Sequence, residues 1–157
     1  MPLTQDQIRT DYPLPVYNYR VEIGGDAVAF SEVSGLGISY ETSTYKESPT
    51  AGGAPGPRVM IVPGQRNPAK ITLKKGIVRG VSMKQLYGWI KTITINQIEK
   101  KDIFIRLCDE KGAAVISWKV VNAFPTKLDA PTFDAKSNDA AIESMDLSGD
   151  FISLEES

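Results

Sequence analysis

Residues able to do chemistry are few and scattered in this chain. None of its 157 residues is histidine, which removes most catalytic triads and the commonest metal ligand. Cys108 stands alone, so it forms no internal disulfide and no cysteine-cluster zinc site. It sits inside the strand-like "DIFIRLCD" (102–109), where an inert thiol fits better than a nucleophile. The carboxylates show no spacing that suggests paired acid–base work. In Lys74-Lys75-Gly76 the glycine follows the lysines, so no phosphate is cradled ahead of a helix. Tyr12, Tyr17 and Tyr19 have the rings to stack on bases, but tyrosines in strands ordinarily pack a core or an interface. No motif argues for an enzyme, and none implies a cofactor or a metal.

Binding or assembly remains. Hydrophobic residues are 41% and charged residues 24%, the balance of a soluble globular chain, and the length suits one domain over 1–157. No apolar run approaches the roughly 20 residues of a membrane span. "MPLTQDQIRT" lacks a signal peptide's apolar core, so synthesis and folding are expected in the cytoplasm. The net charge of −1 hides a segregation. Arg58 to Lys84 carries seven bases (Arg58, Arg66, Lys70, Lys74, Lys75, Arg79, Lys84) and no acid. Leu128 to Ser157 carries eight acids, among them Glu143, Asp146 and Asp150, against Lys136 alone. Either the two segments lie side by side in one sheet, or they meet between subunits, where complementary potentials fix register.

Period-two alternation dominates the elements that must position these groups. It marks strands in "VYNYRVEI" (16–23), "AVAFSEVS" (27–34), "ISYETSTYK" (38–46), "AKITLKKGIV" (69–78), "DIFIRLCD" (102–109), "AAVISWKVV" (113–121) and "AIESMDLSGDFISL" (141–154). Gly24-Gly25-Asp26 turns the first pair into a hairpin, and Gly149 marks a bulge in the last strand. Pro125 and Pro131 limit residues 122–140 to a short edge strand at most. Met83, Leu86, Trp89 and Ile93 switch to helical spacing, predicting one helix over 82–95 with Ser82 and Gln85 as a capping box. Residues 1–15 read as a mobile arm closed by Pro13 and Pro15. The sum is a mainly β chain, a curved sheet or open barrel with a helix plugging one side.

"KESPTAGGAPGPRVMIVPGQ" (46–65) holds four of the ten prolines and four of the thirteen glycines, so it reads as a long loop. Its apolar run Val59, Met60, Ile61 and Val62 has no reason to stay in water. The loop is expected to be mobile in the free subunit and to order on an adjoining one, with "RVMIV" adding to a sheet edge and those four residues as inter-subunit anchors. Lys70, Lys74 and Lys75 on one side, with Asp146 and Asp150 on the other, are the candidates for charge complementarity between subunits.

"DYPLPVYNYRVEIGG", "FSEVSGLG", "PGQRNPAKITLKKGI", the "LYGWI" helix and "VVNAFPTKLDAPTFDAKSNDAAIESMDL" together resemble the tube proteins of contractile phage tails. They are most similar to the inner-tube proteins of extracellular contractile injection systems, in order over roughly 11–150. The resemblance implies a two-sheet antiparallel β-barrel or sandwich with one flanking α-helix. It also implies six-fold rings stacked into a hollow tube inside a contractile sheath. The implied partners are the chain itself, sheath and baseplate proteins, and protein cargo in the lumen. No specific nucleic acid is implied unless the particle is a phage tail conducting DNA, and no stable membrane association precedes firing. The implied particle is assembled after cytoplasmic synthesis and is then released or anchored at the cell. The 46–65 stretch is longer than the family pattern, leaving open the repeating subunit or a ring near the baseplate. A reading from another class is a monomeric small-ligand barrel with this stretch as its lid.

Overall fold

The computed structural model describes residues 2–49, 52, 55–80, 82–95 and 97–156. Ten strands and two short helical segments follow in the order α1 (Gln5–Asp11), β1 (Tyr19–Ile23), β2 (Asp26–Val28), β3 (Glu32–Ser34), β4 (Tyr40–Glu47), β5 (Arg58–Arg66), β6 (Ala69–Gly76), a π-type turn Ser82–Tyr87 running into α2 (Gly88–Ile90), β7 (Lys101–Cys108), β8 (Ala114–Asp129), β9 (Ile142–Gly149) and β10 (Phe151–Glu156). The main sheet has the order β2-β1-β7-β8-β9-β6-β3, with β10 also on β8, and its ladders are antiparallel.

This sheet folds over itself because β8 serves two lobes. Residues up to Ala123 pair with β7, and Val121 to Ile116 pair with β10. Residues Phe124–Asp129 pair with β9. The bend falls at Asn122, whose φ of 53° is the one positive value among described non-glycine residues. Its strained backbone is held on three sides. Asn122 N donates to Asp102 Oδ1 at 3.0 Å, Asn122 Nδ2 donates to Asp150 Oδ2 at 2.8 Å, and Asp150 N donates to Val121 O at 2.9 Å. Opposite lies Gly149, where an added Cβ would stand 2.7 Å from Val120 Cγ1 and 3.2 Å from Val121 O.

Alternation then fills the space between the lobes. β6 buries Ala69, Ile71 and Leu73 and turns Lys70 and Lys74 outward; β9 buries Met145 and Leu147 between exposed-side hydroxyls and acids. Leu86 and Trp89 close the core from the helical segment, with Trp89 Nε1 donating to Glu99 O at 2.7 Å. The two-residue turn Gly24-Gly25, with φ of 57° and 95°, sets Ile23 against Asp26 in the tightest hairpin type.

Six expectations are corrected. The stretch 46–65 is not all loop. Arg58–Arg66 forms β5, which pairs with β4 in a separate two-stranded sheet, so "RVMIV" adds to a strand of its own chain. Pro63 is accommodated opposite Thr42, beside a register shift, in a ribbon whose outer edges are unpaired among the described residues. Residues 50, 51, 53 and 54 of that stretch lie outside the described residues. β8 runs through Pro125, which sits at a register shift where no ladder donor is required. The helix ends at Ile90 instead of 95, because Thr92 Oγ1 turns back to Trp89 O at 2.6 Å and the β-branched tail leaves the helix. Ser82 Oγ accepts from Val78 N at 3.2 Å instead of capping with Gln85. Within the expected arm, Thr4 and Gln7 form a capping box (2.9 and 3.2 Å) that starts α1, a helix with no buried residue. Residues 27–34 split into β2 and β3 as the chain crosses lobes, pinned where Tyr19 Oη donates to Phe30 O at 2.7 Å.

Gly149→Ala is expected to destabilise the fold by about 1–3 kcal/mol through overpacking at the bend. Gly37→Ala, with open space around the added carbon, is the matched control and should change little. Urea unfolding of both checks this, and equal midpoints would mean that the bend tolerates the added carbon.

Candidate assembly surface

Nearly every residue of the β4–β5 ribbon is exposed, although it carries the longest apolar run outside the core. Register divides that run between two faces. Val59 and Ile61 lie opposite Lys46 and Thr44 on one face, and Met60 and Val62 lie opposite Tyr45 and Ser43 on the other. Exposures of 53% for Val59, 72% for Ile61 and 44% for Val62 show that neither face rests on the body of the subunit. Tyr40 and Tyr45 extend the apolar surface onto β4, a contribution hidden in the sequence by the surrounding Thr and Ser. The base of the ribbon is held firmly. Asn67 N donates to Ser39 O at 2.9 Å, Asn67 Nδ2 reaches Ser39 Oγ at 3.0 Å, and the Arg66 guanidinium stacks 4.2 Å above the Phe151 ring. A two-stranded ribbon is marginally stable alone in water.

The charge blocks meet within the subunit. β6 lies beside β9, with Thr72 opposite Asp146 and Lys75 opposite Glu143. On the outer face Lys74 Nζ is 3.1 Å from Glu32, Thr72 Oγ1 donates to Asp146 at 3.0 Å, and Lys127 Nζ is 3.2 Å from Asp129. Lys70 is exposed opposite Ser148 and makes no ion pair among the described residues. Asp150 is engaged by Asn122 at the bend. Lys75 points inward and is only 4% exposed; its Nζ donates to Gly76 O at 2.8 Å. Glu143 also points inward, and its Oε1 is buried without a hydrogen-bond partner among the described residues. Burial, and secondarily the charge of Glu32, push the Tyr19 phenol above its ordinary pKa, so it stays the donor that Phe30 needs.

A family model described as T4-like virus tail tube protein gp19 matches residues 15–151. The chain belongs to this tail tube family. Solved structures agree along the whole chain. A chain of the sheath–tube complex of an extracellular contractile injection system, PVC, in its extended state is 39% identical, covers 99% of this chain and 100% of its own, and has a TM-score of 0.88. A chain of the anti-feeding prophage cap, where the AFP tube terminates, is 39% identical over 100% of both, with a TM-score of 0.84. A chain of the PVC sheath/tube terminator is 40% identical over 92% of this chain and 98% of its own, at 0.80. No curated protein sequence matches. Tail tube proteins are structural, so membership agrees with the expectation that the chain is not an enzyme and replaces the small-ligand-barrel reading with a building role.

For this tail tube protein the buried Lys75 and Glu143, which face each other in register but form no ion pair among the described residues, make their own prediction. Glu143→Leu removes a buried carboxylate oxygen that has no partner among the described residues but leaves Lys75 buried across the ladder, so it should cost less than the roughly 3–5 kcal/mol of breaking a buried ion pair, and adding Lys75→Met should recover part of that loss. A double-mutant cycle in urea measures the coupling; additive losses would mean that the two groups act independently.

Proposed function

We propose that this chain is the repeating subunit of the inner tube of a contractile injection particle, closing into six-fold rings that stack around a lumen. The carrying observation is the match along nearly the entire chain to a chain of a PVC sheath–tube complex, at 39% identity and a TM-score of 0.88. Sheath and baseplate proteins are then its partners, protein cargo occupies the lumen, and the particle acts after release from the cell that made it. The description of the two PVC relatives as parts of an extracellular contractile injection system favours an injection particle over a DNA-conducting phage tail.

The subunit's own features support assembly. β3, β10 and the second half of β8 each have a partner on one side only among the described residues, and such edges are a liability unless neighbours pair with them. Val59, Met60, Ile61 and Val62 anchor the ribbon in an adjoining subunit; burying each side chain is worth about 1.5–3 kcal/mol. Lys70 and Lys74, and across from them Asp146, add weak contacts of about 0–1 kcal/mol each that fix register. Lys75 and Asp150 contribute by shaping the subunit that carries them.

Met60→Ser with Ile61→Ser is expected to abolish stacking while shifting the isolated subunit's stability by no more than about 0.5 kcal/mol. Negative-stain microscopy at high concentration with a baseplate template, beside thermal melts, tests both halves. A double variant that unfolds would return the run to the subunit's own core. Reversing Lys70 and Lys74 to Glu should slow assembly, as should added salt on the unaltered protein; light scattering indifferent to both would confine the charge pairing to the single subunit.

A further inference from the structure

The ribbon and one acidic segment leave the same sheet at opposite ends. Along the β6–β9 ladder Ala69 faces Gly149 at one end, and Gly76 faces Ile142 at the other. The β4–β5 ribbon departs from the Ala69 end, since Arg66 lies just before it. Residues 130–141, which join β8 to β9, stand at the Gly76 end, where Ile77 N donates to Ala141 O at 2.9 Å. This segment is ordered by its own bonds. Asp134 Oδ1 accepts from Lys136 N at 3.0 Å, Asp134 O accepts from Ser137 N at 3.1 Å, and Ser137 Oγ accepts from Asp139 N at 3.1 Å. It walls an open depression of about 600 Å³ with Pro131, Phe133, Ala140 and Ile142 on the apolar side and Asp134 and Asp139 on the acidic side. Phe133 is 83% exposed, which a single subunit gives no reason for.

We propose that this depression is the receptor for the β4–β5 ribbon of a second copy of the chain in the next ring. The proposal rests on the stacking role of the ribbon given above and names the surface that receives it. Three observations select the occupant. The ribbon offers exposed Ile61 and Val59 to an exposed Phe133. Its outer part carries Lys46 and Arg58 against Glu47, which is 3.9 Å from Arg58, and so is net positive; the receptor carries Asp134 and Asp139 against Lys136, and so is net negative. Placement at opposite ends of one sheet makes the contact heterologous, so each subunit gives one ribbon and takes one, and the contact repeats without closing on itself.

Site-specific cross-linking tests this, because the native Cys108 is buried and does not compete. Protein carrying Ile61→Cys is mixed with protein carrying Phe133→Cys, assembled on a baseplate template and oxidised. Covalent dimers joining the two variants are expected, with each variant alone giving few. Tubes that form normally and dissolve on Met60→Ser/Ile61→Ser, yet never join Ile61→Cys to Phe133→Cys, overturn the receptor while keeping the ribbon's stacking role. Assembly indifferent to Met60→Ser/Ile61→Ser overturns both. As a second arm, Asp134→Lys with Asp139→Lys should slow tube growth roughly tenfold, and adding Lys46→Glu with Arg58→Glu should restore it. Slowing without rescue would deny the charge contact.

Discussion

Everything in this fold depends on one strand being allowed to belong to two sheets. β8 can do so only because its backbone passes through the left-handed region at Asn122, a conformation that asparagine tolerates better than most residues. The cost is offset locally, by Asp102 and Asp150 accepting from the Asn122 backbone and side chain. Gly149 lets β9 and β10 follow the same bend in contact with β8. Without this corner the sheet would stay open, and Ile103, Val120, Met145 and Leu147 would have no second layer to meet. Asp150 therefore earns its place through geometry, although its position in an acidic segment suggested a purely electrostatic part.

Strands that bury one face were legible, because burial enforces alternation. In β6 the pattern of Ala69, Ile71 and Leu73 against Lys70, Thr72 and Lys74 appears in the sequence and in the burial alike. What escaped were elements whose stability does not come from the subunit's core. β5 contains Pro63 and Gly64 and buries almost nothing, so composition spoke for a loop while the ladder with β4 formed regardless. The helix α1 is announced by Thr4 and Gln7 but has no apolar stripe to draw the eye. Pro125 masked the second half of β8, since a proline normally excludes a paired strand and only the register shift beside it reveals the exception.

The candidate site divides in the same way. The apolar run Val59–Val62 was legible as a misplaced group of hydrophobes, because nothing in "KESPTAGGAPGP" could bury it within its own segment. The charge blocks were legible as blocks but not as contacts. Sequence cannot show that Lys74 is spoken for by Glu32, or that Lys70 makes no ion pair among the described residues. Neighbouring lysines in a strand point to opposite faces, so the pair Lys74-Lys75 was bound to be split between surface and interior.

The split has a consequence for how such a subunit assembles. Its body is held by a core and a bonded corner, while its ribbon has strands that pair with each other and, beyond its base, faces left exposed among the described residues. Because the ladder is already formed, a neighbour that covers the ribbon gains apolar burial without first having to order an entire loop, and the entropy cost of docking falls accordingly. On the stacking role proposed above, several ribbon contacts made at once, as when a subunit meets a ring already in place, would hold more firmly than one contact between free subunits. Such a difference would bias polymerisation toward the template, which is the behaviour a tube of defined length needs.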